Sequence, residues 1–331
     1  MEQVAFVFPG QGSQYVGMGL ALAEAFPAAQ AVFAEADEAL GVPISELAWN
    51  GPPEELDRTV NAQPAILATS IAYLRAMEAA REAADAAPLQ PTFCAGHSMG
   101  QFSAMVAAGT LSLADAVRLV SERGRLMQTS AAGIDGAMAA ILGLEPEALP
   151  DVLAAGGSEG ILVLANDNAP GQVVLSGERR AVEAAIERAR QQGARKAVVL
   201  PVSVAAHSPL MADAAHAIAR MVDGVQFADP RVPLLSNAQA TLITTADEAR
   251  RELVEHLTAG VAWTRTVHTM ARAGVRRFVE VGPGRVLSGL VRRIVPEAEA
   301  HALDDPGAPG RLAMPTWQMD GAPASAGRAV V

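Results

Sequence analysis

A serine between two glycines stands where an apolar run gives way to a helical pattern. Residues 93–103 read FCAGHSMGQFS, and the segment from Gly96 to Gly100 has the form G-x-S-x-G. The two glycines allow a sharp turn from a strand into a helix, which exposes the Ser98 hydroxyl at the helix N-terminus. Free N–H groups and the helix dipole at that position favour an oxygen that becomes negatively charged. The pattern therefore predicts a nucleophilic Ser98, although an ordinary glycine-rich turn has the same letters.

A serine hydroxyl needs a neighbouring base to take its proton, and the chain contains six histidines. His207 lies in LPVSVAAHSPLM, directly after the last strand predicted for the middle of the chain, where the backbone would return to the site. His97 is next to the serine in sequence, but a neighbour at such a turn is expected to point away from the hydroxyl. The remaining four have helical or tail contexts, typical of surface or capping histidines: His216, His256, His268 and His301. We therefore predict that His207 is the base.

An arginine falls close to the apolar face of the helix predicted over residues 112–127. At about 100° per residue, Arg123 lies at the edge of the apolar sector, beside Ala116, Leu119 and Met127. A guanidinium that points inward needs an anionic partner, and the helix offers none at a suitable spacing. The position indicates either a bound carboxylate or phosphate or a structural salt bridge, and the sequence leaves both open.

Other loops and clusters give weaker signals. The loop PGQGSQ, residues 9–14, fits neither GxxxxGK[ST] nor GxGxxG, so no nucleotide site is expected, although its N–H groups could bind an oxyanion. The histidines and carboxylates show neither HExxH nor paired CxxC spacing. We therefore expect no metal ion.

The composition favours a globular protein and argues against nucleic-acid-binding and membrane-spanning proteins. Half of the 331 residues are hydrophobic, which is enough for a large core, and the net charge of −11 argues against nucleic acid as a partner. Apolar stretches are interrupted before the roughly 18 residues of a membrane span, and the first residues lack the pattern of a signal peptide. We expect no membrane partner and a cytoplasmic location. The single cysteine, Cys94, stands in an apolar strand and is interpreted as a buried structural residue.

The fold class follows from short apolar strands that alternate with helical segments. This alternation predicts an α/β fold with a mostly parallel sheet covered by helices. The strand candidates for this sheet are residues 4–8, 92–95, 232–236 and 278–281, and a helical stretch is expected over 19–40.

The middle of the chain has the order β-α-β-β-α-β, which is typical of a ferredoxin-like unit. We therefore predict a small lobe over residues 133–202, inserted into a large lobe built from residues 1–132 and 203–303. Residues 304–331, rich in Pro, Gly and Ala, lack periodicity and are expected to form a flexible or surface-laid tail.

Taken together, these motifs resemble those of malonyl-CoA:acyl-carrier-protein transacylases and the discrete, trans-acting acyltransferases of polyketide synthases. The resemblance covers nearly the whole chain, to about residue 303, and it implies an α/β-hydrolase-like core with a ferredoxin-like insert. The segments that carry it, in chain order, are FVFPGQGSQ, AGHSMG, VSERGRLM, NDNAPGQVVLSG, PVSVAAHS and EVGPGRVLSGL.

The resemblance also implies the reaction and the roles of single residues. The family's nucleophile matches Ser98, its base matches His207, and its carboxylate-binding arginine matches Arg123. Its oxyanion hole matches Gln11, with the backbone N–H of Met99. A malonyl group would pass from malonyl-CoA to Ser98 and then to the phosphopantetheine thiol of an acyl carrier protein, in a ping-pong reaction without a cofactor.

Where the family orients its histidine by a backbone carbonyl, this chain has Ala262. Three differences from the family pattern stand near the site. Gln101 replaces a common glutamate, residues 259–263 read AGVAW rather than NPVQW, and Ala206 replaces the phenylalanine usual in malonyl-selective enzymes. The small Ala206 leaves methylmalonyl or ethylmalonyl as alternative substrates. A hydrolase that clears acyl carrier proteins and a non-catalytic docking relative remain as alternative functions.

Overall fold

Two β-sheets organise the chain, which the computed structural model describes over residues 3–130, 135–202 and 204–312. The first sheet has six strands and the second has four. In chain order the strands are β1 (Val4–Phe8), β2 (Phe93–Gly96), β3 (Gly136–Leu142), β4 (Leu162–Ala169), β5 (Gln172–Glu178), β6 (Lys196–Val199), β7 (Leu234–Leu235), β8 (Leu242–Ile243), β9 (Arg277–Glu280) and β10 (Glu299–Ala302).

Helices surround both sheets. The stretch expected as one helix over residues 19–40 is two helices, because Pro27 begins the second one at a position where its missing N–H costs no hydrogen bond. The helices are α1 (Leu20–Ala25), α2 (Pro27–Leu40), α3 (Ile44–Asn50), α4 (Pro53–Leu56), α5 (Thr59–Ala83), α6 (Gly100–Ala107), α7 (Leu113–Ser130), α8 (Leu149–Gly157), α9 (Arg179–Gln191), α10 (Ala212–Val222), α11 (Ala246–Glu255), α12 (Trp263–Arg272), α13 (Val286–Ile294) and α14 (Ala308–Leu312).

The six-stranded sheet has the order β10-β9-β1-β2-β7-β8 and is parallel except for β8. Strand β1 lies inside the sheet and all five of its residues are buried, as expected for a parallel strand covered on both faces. Its last residue, Phe8, pairs with Gly96 at the end of β2. The prediction of a mostly parallel sheet is confirmed. The carboxyl ends of β1, β2 and β7 meet at one edge, where ligand sites of such sheets form.

The four-stranded sheet is antiparallel, with the order β4-β5-β3-β6. Together with α8 and α9, its strands follow the order β-α-β-β-α-β, which confirms the ferredoxin-like unit. A parallel bridge between Asn166 and Val261 connects β4 to the segment before α12. The lobe boundaries at 132/133 and 202/203 stay predictions, since residues 131–134 and 203 lie outside the described part of the chain.

The region expected as a tail begins with ordered structure. Residues 308–312 form α14, in which Ala308 and Leu312 are fully buried, and the Arg81 guanidinium of α5 donates to the Leu312 carbonyl. Residues 308–312 are therefore packed against the protein, which agrees with the surface-laid alternative for this part of the tail, while the tail boundary at residue 304 stays a prediction. Ala308 and Leu312 are four positions apart and share one helix face. The sequence did not predict this helix because the Pro and Gly residues around them are typical of irregular segments. Residues 313–331 of the predicted tail lie outside the described residues.

The helices and the single cysteine bear on two expectations from the sequence, the absence of a membrane span and a structural role for Cys94. Among the described helices, none combines the length and apolar character that crossing a bilayer requires. Cys94 is only 1% exposed, and burial raises the pKa of its thiol to about 12, which fits a structural rather than a reactive role.

The turn after β2 tolerates only glycine at position 96. A Cβ atom there would lie 2.0 Å from the carbonyl carbon of Gly100. We expect Gly96→Ala to lower the free energy of unfolding by at least about 2 kcal/mol. Gly289, in α13, is the control: a Cβ there meets nothing within 4 Å, so Gly289→Ala should stabilise the protein by up to about 1 kcal/mol. Urea denaturation measures both, and a Gly96→Ala protein as stable as the wild type would contradict the turn geometry.

Candidate active site

Ser98 occupies a strained turn between β2 and α6. Its φ is 51°, in the left-handed region that a serine rarely adopts. The turn packs directly on the end of β1, because a Cβ on Gly100 would lie 2.2 Å from the Phe8 carbonyl oxygen. The His97 N–H donates to that same carbonyl, at 3.0 Å. The predicted strand-turn-helix arrangement is therefore present, and it holds the serine at the carboxyl edge of the sheet.

His207 meets the serine as the sequence predicts. Its Nε2 lies 2.8 Å from Ser98 Oγ, and the histidine is 4% exposed. Nδ1 faces two backbone carbonyls, of His256 at 2.7 Å and Ala259 at 3.0 Å. Carbonyls only accept, so Nδ1 carries the proton and Nε2 presents its lone pair to the serine hydroxyl. This tautomer suits a general base.

The carbonyl that orients His207 does not belong to Ala262, contrary to the expectation from the family pattern. Ala262 stands immediately before α12, and its carbonyl accepts hydrogen bonds from the N–H and the hydroxyl of Thr266 within that helix. Its oxygen therefore accepts the first hydrogen bonds of α12. The acceptors come instead from the end of α11, at His256 and Ala259.

Burial keeps His207 neutral. Desolvation, together with the positive charge of Arg123, lowers the pKa of His207 to about 3, against which the bonds to the two carbonyls act only in part. A neutral imidazole can accept the serine proton, whereas an imidazolium cannot. The His207 imidazole is thus neutral, and able to accept a proton, well below the pH at which an exposed histidine is half protonated.

Arg123 lies on the buried side of α7, as predicted, and is 1% exposed. One Nη donates to Gln63 Oε1 at 2.8 Å and the other to Ser98 Oγ at 3.3 Å, while Nε has no partner. Burial lowers its pKa to about 10, so the group stays charged at neutral pH. Within residues 3–130, 135–202 and 204–312, no carboxylate forms an ion pair with it. The structural salt bridge left open by the sequence is not found there, and a buried charge in this state calls for an anionic ligand.

Two backbone N–H groups stand close to the serine. In the described part of the chain, neither the Met99 N–H nor the Gln11 N–H has an acceptor. The loop after β1 contacts the turn, since a Cβ on Gly10 would lie 2.6 Å from the His97 carbonyl oxygen. The Gln11 side chain points to Thr59 and donates to its hydroxyl at 3.2 Å. Any oxyanion role of Gln11 is therefore better assigned to its backbone than to its amide.

Two buried amides that the sequence analysis did not assign to the site hold the turn in place. Gln101 is fully buried; its Oε1 accepts from the Gly96 N–H at 3.0 Å, and its Nε2 donates to the Leu235 carbonyl at 3.0 Å. An amide supplies both a donor and an acceptor, which accounts for glutamine at a position where the family commonly has glutamate. Asn237 accepts from the Ser98 N–H at 2.8 Å. Its place two residues after β7, at the carboxyl edge of the sheet, was the available sequence signal.

His97 was predicted correctly from the sequence, whereas Gln63 was missed. The His97 ring points away from the serine, as expected: its Nε2 lies 2.8 Å from Asn168 Oδ1, and the ring packs edge-on against Trp263. Gln63, the partner of Arg123, was missed. It is a 1% exposed amide flanked by the buried apolar residues Ala62 and Pro64 in α5, and that contrast was the signal. Nowhere in the described residues do three or more His, Cys, Asp or Glu side chains group as metal ligands would.

The protonation state of His207 is directly measurable. In protein labelled with ¹⁵N at histidine, we expect Nδ1 protonated and Nε2 unprotonated from about pH 8 down to about pH 5, because burial lowers the pKa far below the unperturbed value of about 6.5. Long-range ¹H–¹⁵N correlation spectra report both nitrogens, and a His207→Ala sample assigns their signals. Protonation of Nε2 with a midpoint near 6.5 would contradict this geometry.

The comparisons with known proteins agree with the geometry. The family model described as acyl transferase domain matches residues 5–320. A malonyl CoA-acyl carrier protein transacylase of Bacillus subtilis (strain 168) is 45% identical over 92% of this chain and 95% of its own length. The protein of the same name from Escherichia coli (strain K12) is 42% identical over 93% and 98%.

Solved structures show the same fold. An acyl carrier protein S-malonyltransferase from Vibrio cholerae superimposes with a TM-score of 0.86 at 39% identity, over 92% of this chain and 97% of that chain. A malonyl-transacylase in complex with its type II polyketide-synthase acyl carrier protein has a TM-score of 0.88 at 40% identity, over 94% and 99%. With a family model that spans almost its whole length and relatives above 40% identity, the chain belongs to the acyl transferase family.

Proposed function

We propose that the protein transfers the malonyl group of malonyl-CoA to the phosphopantetheine thiol of an acyl carrier protein, as an [acyl-carrier-protein] S-malonyltransferase. The observation that carries this proposal is the buried guanidinium of Arg123, which lies 3.3 Å from the hydroxyl of Ser98 and has no carboxylate partner in the described part of the chain. A malonyl thioester is an acyl donor with a second, free carboxylate. It therefore supplies the reacting carbonyl to Ser98 and the missing anion to Arg123.

In the first half-reaction His207 acts as the general base. Its Nε2 takes the proton of the Ser98 hydroxyl while Oγ attacks the thioester carbonyl. The N–H groups of Met99 and Gln11 hold the oxyanion that forms. When the C–S bond breaks, His207 returns the proton to the leaving thiolate of CoA, and a malonyl ester of Ser98 remains.

The second half-reaction runs the same steps in reverse. The phosphopantetheine thiol of the carrier protein gives its proton to His207 and attacks the ester carbonyl of acyl-Ser98. The C–O bond then breaks, and His207 returns the proton to the serine oxygen. Since one thioester is exchanged for another, no redox or energy-supplying step arises, and we propose that the reaction needs no cofactor.

Substrate choice depends on Arg123 and its surroundings. Gln63 holds one end of the guanidinium, so its two ends present a fixed orientation that a planar carboxylate can match. Ala206, directly before the base, is buried and small. A methyl or ethyl substituent at this end of the pocket is the alternative that an acyl-CoA panel tests. The cytoplasmic location stays a prediction, consistent with the use of CoA thioesters.

The role of Arg123 separates malonyl-CoA from acetyl-CoA. We expect Arg123→Ala to lower kcat/KM for acylation by malonyl-CoA by at least about 30-fold, because a buried charge pair is lost. Acylation by acetyl-CoA, which has no second carboxylate, should fall at least about tenfold less, because the bond to Ser98 Oγ and the charge near His207 are lost equally for both thioesters.

Arg118→Ala is the control for this experiment. Arg118 lies on the same helix but is exposed and donates to the Ala39 carbonyl, so its removal should change neither rate. Equal losses for the two thioesters in Arg123→Ala would contradict the carboxylate-binding role.

Intact-protein mass spectrometry tests the reaction itself. With malonyl-CoA alone, we expect the wild type to gain one malonyl group, and Ser98→Ala to gain none because the attacking oxygen is gone. Added carrier protein bearing phosphopantetheine should then take up the malonyl group and discharge the enzyme. Carrier proteins of fatty-acid and of polyketide synthesis serve as parallel acceptors.

The alternatives give different outcomes in the same assay. Rapid formation of free malonate without a malonylated carrier protein would indicate the hydrolase. A wild-type protein that gains no acyl mass would indicate the non-catalytic docking relative. Either result would contradict the transferase.

A further inference from the structure

The peptide group between His97 and Ser98 is held at both ends. Its carbonyl accepts from the Gly100 N–H at 2.9 Å, and its N–H donates to Asn237 Oδ1 at 2.8 Å. A serine at φ 51° costs on the order of 1–3 kcal/mol and persists only where its surroundings over-determine it. The orientation of this peptide decides where Oγ lies relative to His207. The contact from Asn237 is therefore part of what places the nucleophile.

A buried carboxylate fixes the orientation of Asn237. Glu252 Oε1 accepts from the Asn237 N–H at 2.6 Å and from its Nδ2 at 3.1 Å, and the two residues are 2% and 6% exposed. Burial raises the pKa of Glu252 to about 7, but Oε1, which already accepts from the Asn237 N–H, remains an acceptor whether or not Oε2 carries a proton. It therefore requires the amide to direct Nδ2 toward Glu252 and Oδ1 toward the Ser98 N–H. A flipped amide would set its NH₂ group against the Ser98 N–H and leave both donors without an acceptor.

The helix that carries Glu252 also holds the base. The His256 N–H donates to the Glu252 carbonyl at 3.0 Å, and the His256 carbonyl accepts from His207 Nδ1 at 2.7 Å. Thus one turn at the end of α11 reaches the serine through a side chain and the histidine through a backbone carbonyl. The distance of 2.8 Å between Oγ and Nε2 depends on both contacts.

We propose that Glu252 is a positioning residue for acylation, which holds the Ser98 backbone through Asn237 in the geometry that lets His207 take the serine proton. Glu252 forms no hydrogen bond or ion pair with Ser98, His207 or Arg123, and in this proposal it does not touch the substrate. The proposal rests on the assignment of Ser98 and His207 as nucleophile and base.

A purely structural role for Glu252 makes a different prediction. Removing any buried, hydrogen-bonded carboxylate lowers stability, whether or not it serves the site. Asp37 supplies a matched control, because it also accepts from the backbone N–H and the side chain of one residue, Ser45, and has no contact with the turn. Each of the variants Glu252→Ala and Asp37→Ala removes one backbone and one side-chain hydrogen bond; Asp37 is half-buried whereas Glu252 is buried, so thermal unfolding compares their losses of stability.

The experiment measures single-turnover acylation of the full chain by malonyl-CoA, followed by quenching and mass spectrometry, with thermal unfolding of each variant alongside. We expect Glu252→Ala to lower the acylation rate constant by about 10- to 100-fold, as misplacement of reacting groups does, while the half-saturating malonyl-CoA concentration changes less than about threefold. Glu252→Gln keeps an acceptor oxygen and should return the rate to within about threefold of the wild type. Asp37→Ala should lose stability but keep the wild-type rate.

Several results would overturn the proposal. These are a Glu252→Ala protein that acylates at the wild-type rate, a loss matched by Asp37→Ala, or a Glu252→Gln protein as slow as Glu252→Ala. If Glu252→Ala fails to fold, Glu252→Asp takes its place, since a carboxylate shorter by one methylene cannot keep both bonds; a folded, fully active Glu252→Asp would also overturn it. A wild type that forms no adduct on Ser98 would instead count against the proposed function.

Discussion

A positive charge that is buried without a counter-ion dominates this site. The Arg123 guanidinium is removed from water, held by a neutral amide on one side and by the Ser98 hydroxyl on the other. A buried charge in this state is unfavourable unless an anion joins it, so the fold retains a cost that only a ligand with a negative group relieves. Desolvation lowers the pKa of His207 and keeps the imidazole neutral, and the charge of Arg123 acts in the same direction. Arg123 thus bears on the proposed choice of substrate and on the charge state of the neighbouring imidazole.

Much of this arrangement could be predicted from the sequence because its signals are local. The G-x-S-x-G turn and the apolar strands β1 and β2 each occupy a few consecutive residues, and the inward face of α7 shows as a helical repeat within one segment. The position of His207 followed from the order of strands before it. The β-α-β-β-α-β order likewise identified the small sheet without any knowledge of its pairing partners.

What escaped prediction depends on contacts between distant segments. Asn237 lies 139 residues from Ser98, and Gln63 lies 60 residues from Arg123. No local pattern connects such pairs. The acceptors of His207 are backbone carbonyls, and which carbonyls face it depends on where α11 ends rather than on side chains. The family pattern therefore pointed to Ala262, which is not the acceptor. The short helix α14 was not predicted because three buried residues within five positions carry little periodicity.

The central claim is that the free carboxylate of the substrate binds to Arg123. Calorimetric binding to Ser98→Ala, which cannot be acylated, tests it without interference from chemistry. We expect malonyl-CoA to bind at least about tenfold more tightly than acetyl-CoA, since a charge-assisted bond contributes about 1.5–3 kcal/mol, and this difference should vanish in the Ser98→Ala, Arg123→Ala double variant. Equal affinities for the two thioesters in Ser98→Ala, or a preference that survives the loss of Arg123, would contradict the account.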